Sequence, residues 1–125
     1  MTLIYHITTR DASLTGRLTG EYKADSLATD GFIHFSQRHQ ILNVANAFYA
    51  GRADLVILVA DTSRLKADLK YEPPVHPSGA PAAAAPSADQ LFPHLYGPIN
   101  FDAVTGVYNF PPGENGKFVL PVDLP

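Results

Sequence analysis

Two short runs rich in β-branched and aromatic residues, Leu3-Ile4-Tyr5-His6-Ile7-Thr8 and Gly31-Phe32-Ile33-His34-Phe35-Ser36, each carry a histidine in mid-run and end in a hydroxyl residue. Side chains alternate across a strand, so His6 shares a face with Ile4 and Thr8, and His34 shares one with Phe32 and Ser36. Strands lying near one another would bring both imidazoles into one cleft. Imidazole there can serve as acid, base, hydrogen-bond donor or metal ligand near neutral pH. Its burial in an apolar strand costs free energy unless a partner is found, so each histidine is expected in a cleft or a polar network. A histidine satisfied by its structural neighbours is the plainer alternative.

A third histidine, His94, lies in Leu91-Phe92-Pro93-His94-Leu95-Tyr96-Gly97-Pro98, whose dense proline and glycine read as a rigid turn. Glu72, beside Tyr71 at the end of a short strand, is the candidate general base, with an exposed strand end as the plainer reading. Ser36 lacks the G-x-S-x-G elbow of a nucleophile and is expected to cap the helix that follows it. His39 falls in the first turn of that helix and should face solvent, and His76 falls in a loop. His6, His34 and His94 together would suffice for a zinc site with an open position. Their spacings match no metal motif, however, and no H-E-x-x-H occurs, so no metal is expected. The chain has no cysteine, which excludes a disulfide framework, a thiolate zinc site and a cysteine nucleophile. Gly-rich loops of the kinds that cradle phosphates are absent as well.

The elements that must position these groups follow from patterning. At 125 residues the chain is expected to form one domain, 1–125. Residues 3–8 read as the first strand, and Thr9 opens a short helix with Leu14 and Leu18 on one face, weakened by Gly16 and Gly20. Residues 22–26 read as a brief extended piece, and Thr29-Asp30-Gly31 as the turn before the second histidine strand. Ile41, Val44, Ala45 and Phe48 mark one face of the main helix, which Gly51 stops. The continuous apolar run 55–60 has the character of a strand covered on both faces, the centre of the sheet. Strands follow at 69–72 and 104–110, the latter expected to pair with 117–122 across a Pro/Gly turn. Between them, 73–90 is an exposed Pro/Ala-rich loop without hydrophobic periodicity.

The formal net charge is −3 and the nine basic residues are scattered, so the electrostatic footprint of a nucleic-acid binder is missing. The apolar run 55–60 is far short of a membrane span, and no leader pattern is visible, so a cytoplasmic location without a membrane partner is expected.

The order Ile4-Tyr5-His6-Ile7-Thr8, Tyr22, Ala24-Asp25-Ser26-Leu27, Asp30-Gly31-Phe32-Ile33-His34-Phe35-Ser36, Asn43-Val44-Ala45-Asn46, Tyr71-Glu72 and Phe92-Pro93-His94-Leu95-Tyr96-Gly97-Pro98 resembles the bacterial family called domain of unknown function 952. The resemblance implies an α+β fold of the ADP-ribosyltransferase class: two small, mostly antiparallel sheets around a nicotinamide-dinucleotide cleft, one main helix and short extra helices. Within that class the pattern is similar to RNA 2′-phosphotransferases and poly-ADP-ribose polymerases. In those relatives an early-strand histidine binds a ribose of the dinucleotide, which implies that role for His6. Ile33-His34-Phe35-Ser36 matches the V-H-L-S strand of the phosphotransferases. The phosphotransferases' early arginines and the polymerases' late catalytic glutamate find no counterpart, which leaves Glu72 and His94 to stand in for them.

What the resemblance implies is therefore a small nucleotide-like ligand, with NAD as substrate, an RNA phosphate as the weaker partner, and ADP-ribosyl or phosphotransferase-like chemistry. Such chemistry works by positioning and electrostatics, without a metal or a covalent protein intermediate. His6, His34 and Glu72 are the implied catalytic set. Tyr5, Phe32 and Tyr96 would be ring platforms, and Thr8, Ser36 and His94 would complete the ligand-binding surface. A non-catalytic ligand-binding or regulatory domain on the same fold is the alternative.

Overall fold

The computed structural model describes residues 1–74 and 87–125. Most of the expected loop 73–90, His76 included, lies outside the described residues, but its last part, Ala88–Gln90, forms a 3-10 turn. The strands are β1 (Leu3–Thr9), β2 (Glu21–Tyr22), β3 (Ile33–His34), β4 (Leu55–Asp61), β5 (Asp68–Glu72), β6 (Phe92–Tyr96), β7 (Ile99–Asn100) and β8 (Val104–Asn109). The helices are α1 (Arg10–Thr19), α2 (Asp25–Thr29) and α3 (Ile41–Phe48). Every residue of β4 is buried, and it is the centre of an antiparallel sheet of order β1-β4-β8, where its pattern placed it. A second antiparallel sheet has the order β3-β6-β5, and β2 pairs with β7 alone. The α+β class with small antiparallel sheets and few helices is as expected, with three sheets among the described residues in place of two.

The central sheet divides two cores. Tyr5, Ile7, Ile57 and Val59 pack against Ile41 and Ala45 of α3 and against Phe110 and Phe118. On the other face Ile4, Val56, Leu58 and Ala60 meet Tyr22, Ile33, Phe35 and Leu95, so the second sheet covers the first. A two-way backbone bridge stitches the sheets together: the Tyr5 N–H donates to the Ser36 carbonyl at 3.0 Å, and the Ser36 N–H to the Tyr5 carbonyl at 2.7 Å.

Helix α1 begins where Thr9 Oγ1 accepts from the Ala12 N–H at 3.1 Å and ends at Gly20, whose φ of 89° suits glycine. Its Leu14 and Leu18, expected to be the buried stripe, are exposed, and Ser13 and Gly16 face inward instead. The cause is close packing on β2: a Cβ on Gly16 would lie 2.9 Å from the Tyr22 Cβ. Residues 22–26 are not one extended piece, since the chain leaves β2 to make the single turn of α2. α1, at ten residues, is longer than α3, at eight, which the sequence marked as the main helix.

Ser36 does not cap. Its backbone is committed to the seam, and Gln37 caps a 3-10 turn (Arg38–Gln40) ahead of α3 through reciprocal bonds with Gln40. Residues 92–96, read as a rigid turn, are strand β6 at the middle of the second sheet. Pro93 fits there because its carbonyl, the group it still offers, accepts from the Phe35 N–H at 2.9 Å. Residues 117–122 do not form the expected partner of 104–110. β8 pairs with β4 instead, and Phe118 keeps only an isolated bridge to Pro112 while its ring packs on Phe110.

Candidate functional site

The strand alternation puts His6 and Thr8 on the face of β1 that looks toward the second sheet, and Tyr22 of β2 closes over both. His6 Nδ1 lies 2.6 Å from the His34 carbonyl oxygen, which can only accept, so Nδ1 carries the proton. In the neutral ring Nε2 then accepts from the Tyr22 hydroxyl at 2.8 Å, and Thr8 donates in turn to Tyr22 across 2.8 Å. When His6 is charged, the Tyr22 hydroxyl turns to donate to Thr8. Burial holds the His6 pKa down at about 4, against the smaller upward pull of the His34 carbonyl. His6 is therefore neutral near pH 7 and has both nitrogens occupied.

His34 and His94 are cross-strand partners in β3 and β6, their rings 5.5 Å apart edge to face. His34 Nε2 reaches Asp30 at 2.9 Å, on the exposed side of the strand. His94 is almost fully buried at 2 % exposure, and Phe32 stacks on its ring at 4.1 Å. Its Nδ1 donates to Glu72 Oε1 at 2.9 Å, and the Tyr96 hydroxyl donates to the same oxygen. These two bonds hold the Glu72 carboxyl below the usual carboxylate range. Burial lowers the His94 pKa, against the upward pull of Glu72, so His94 is a neutral imidazole beside a carboxylate near pH 7. Among the described residues His94 Nε2 has no protein partner, and His94 lines the open space in front of it. The Ser36 hydroxyl is in the same position.

That space is a cleft of about 780 Å³ along the seam of the two sheets. His6, Thr8, Tyr22, His34, Ser36 and His94 contribute to its wall, so the two histidine strands meet at one cleft and His94 of β6 joins them. Glu72 is not among the lining residues; it accepts from the Nδ1–H of His94, which is. Tyr5 is a correction: alternation sends its ring to the opposite face of β1, into the α3 core, where its hydroxyl bonds the Pro125 carbonyl. Phe32 and Tyr96 are not cleft-lining rings either, since Phe32 is stacked on His94 and Tyr96 is tied to Glu72. The phenylalanine and tyrosine rings that do line the cleft are Tyr22, Phe35, Phe48, Tyr49 and Phe92, with Arg52 beside them. Among the described residues no group of three or more histidine, aspartate or glutamate side chains is arranged to hold a metal. With both nitrogens of His6 engaged, the three histidines do not form a ligand set.

The family model described as a protein of unknown function, DUF952, matches residues 7–107. The chain belongs to the DUF952 family. It is similar to CC0527 from Caulobacter crescentus, whose crystal structure shares 29% identity over 95% of each chain with a TM-score of 0.75. The solution structure of CC0527 gives 30% identity over 94% of this chain and 91% of that one, with a TM-score of 0.72. No curated protein matches the chain. The DUF952 match takes in Thr8, Tyr22, His34, Ser36, Glu72 and His94, and begins one residue after His6. No described helix is long and apolar enough to cross a membrane.

Sequence reasoning missed the partners that complete the DUF952 cleft. Asp30 stands four residues before His34, a separation that a turn brings together, and that spacing was the available signal. Tyr22 belongs to the order of residues that carries the resemblance, but no spacing paired it with His6, because that approach depends on how α1 and β2 pack.

Proposed function

We propose that the cleft binds a small nucleotide-like ligand, with oxidised nicotinamide dinucleotide as the leading candidate, on an ADP-ribosyltransferase-type fold, and transfers ADP-ribose. The observation that carries this reading is the cleft itself: two small sheets meet over it, and its wall holds His94 and Ser36, whose Nε2 and hydroxyl have no protein partner among the described residues, amid an apolar, aromatic lining. Its volume falls within the roughly 300–1,000 Å³ typical of small-molecule sites. Phe48, Tyr49 and Phe92 offer apolar ring surface to a base or nicotinamide. Arg52 gives Asp54 two of its N–H groups, at 3.1 and 2.7 Å, and retains others for a phosphate.

His6 has a different role from the one its resemblance implies. With Nε2 held by Tyr22, it fixes the Tyr22 and Thr8 hydroxyls that face the ligand and does not itself reach a ribose. This same engagement favours a second reading, a domain that binds the ligand without turning it over.

The test is a thermal-shift titration, with NMR chemical shifts followed in parallel, using oxidised nicotinamide dinucleotide, ADP-ribose and simple nucleotides. A ligand that binds only the folded chain raises its melting temperature. The expected result is stabilisation by the dinucleotide and ADP-ribose, with shifts at Thr8, His34 and His94. A melting temperature unmoved by millimolar amounts of all of them would sink the reading.

A further inference from the structure

We infer that His94 is the general base of this cleft, taking the proton from a water or ligand hydroxyl at its Nε2, with Glu72 as its positioning residue. The inference rests on the nucleotide-cleft reading above and adds the reaction's proton acceptor. Four features of the geometry carry it. The Glu72 carboxylate accepts from Nδ1–H, which forces the lone pair onto Nε2. Phe32, stacked on the ring, fixes its plane. The Tyr96 hydroxyl pins the carboxylate from the other side. His94 lines the cleft, and its Nε2 has no protein partner among the described residues.

The other histidines do not have this combination. His6 is closed on both nitrogens, and His34 holds Asp30 on the exposed side of β3. A base must also be unprotonated at working pH, and the groups around His94 set that balance. Glu72 on β5 favours the imidazolium, while His34 on β3 and burial oppose it. Lys70, the cross-strand partner of His94 on β5, has its ammonium over the Tyr96 ring at 4.9 Å and lowers the Glu72 pKa further.

Applied to a nicotinamide dinucleotide and water, the step balances without another reactant. The water oxygen forms a bond to the ribose carbon that bore nicotinamide. The carbon–nitrogen bond breaks, with its electron pair going to the nicotinamide ring. The water proton passes to His94 Nε2 and leaves to solvent. With an acceptor hydroxyl in place of water, the same proton transfer accompanies ADP-ribosyl transfer.

The deciding experiment measures nicotinamide release from oxidised nicotinamide dinucleotide, and stabilisation by ADP-ribose, for wild type, His94→Ala and Glu72→Gln. In His94→Ala with an unliganded melting transition like that of wild type, release is expected to fall by about 10²–10⁴-fold at saturating dinucleotide, the usual contribution of a positioned base, with partial rescue by added imidazole. Glu72→Gln still accepts from Nδ1–H but lacks the charge, so the acidic limb of its kcat/KM profile should move to lower pH. A purely structural Glu72 would leave that limb in place. Release undiminished in folded His94→Ala would overturn the inference. Should wild type bind ADP-ribose and release no nicotinamide, the base assignment fails together with the transfer chemistry, while ligand binding by the cleft stands. Absence of ADP-ribose binding overturns both.

Discussion

A buried histidine with a full set of partners leaves a signature in stability. His6 titrates near 6.5 in an unfolded chain and at about 4 in the folded one. Between these values the unfolded state binds a proton that the folded state refuses, so stability is lost as pH falls from 6.5 toward 4 and not further below. Two and a half pKa units correspond to about 3 kcal/mol. Urea unfolding at pH 7, 5.5 and 4 should show wild type losing about that amount beyond what His6→Gln loses. Parallel pH profiles for the two proteins would refute the assigned tautomer and burial. His94, whose pKa is also lowered, contributes a slope of the same sign to both proteins and cancels in the comparison. How much of this site the sequence disclosed depends on the residue. Strand alternation alone put His6 with Thr8 and His34 with Ser36, and the cleft keeps both pairs. The same rule set Tyr5 opposite His6, and the resemblance-based ring-platform role ran against it. The pairings of Tyr22 with His6 and of Glu72 with His94 were out of reach because the two members come from different elements, and local spacing carries no record of which elements pack.

Elements were legible where one force dominated. β4, apolar from Leu55 to Ala60, had no arrangement open to it other than burial on both faces. Where two forces competed the pattern misled. Leu14 and Leu18 promised a buried stripe for α1, but the tight approach of β2 turned Gly16 inward. Proline and glycine crowd the region around β6, and local propensity read a turn there, whereas pairing with β3 on one side and β5 on the other makes a strand. Gly16 offers the measurement at this scale. Alanine gains about 0.8–1 kcal/mol over glycine by helix propensity. Against that stands a 2.9 Å contact with the Tyr22 Cβ and a 3.2 Å contact with its Cα, which are anchored atoms and yield only if β2 moves. Overpacking of this kind typically costs about 1–3 kcal/mol, so Gly16→Ala should be destabilised by up to about 2 kcal/mol in urea unfolding. The displaced Tyr22 hydroxyl should also perturb the His6 ring resonances. A variant more stable than wild type, with His6 unmoved, would show that the α1–β2 contact is loose.

At the scale of the whole molecule, the cleft exists because two sheets meet along one line, and the Tyr5–Ser36 bridge is where backbone bonds cross it. His6 Nδ1 on the His34 carbonyl is a side-chain bond across the same line. Parting of the sheets would break these bonds while leaving the β1–β4 ladder intact, so the amides of Tyr5 and Ser36 report on that opening by hydrogen exchange. A ligand gripping both walls, Thr8 and Tyr22 on one side and His34 and His94 on the other, binds only the closed seam. It should slow exchange at Tyr5 and Ser36 by a factor of about 1 + [L]/Kd, or roughly a hundredfold at a hundred times Kd. A ligand held by one wall alone leaves the seam free to open. In that case Tyr5 and Ser36 exchange at their unliganded rates, even as the melting temperature rises. Exchange measured with and without saturating ADP-ribose therefore separates a site that spans the two sheets from a site that sits on one of them.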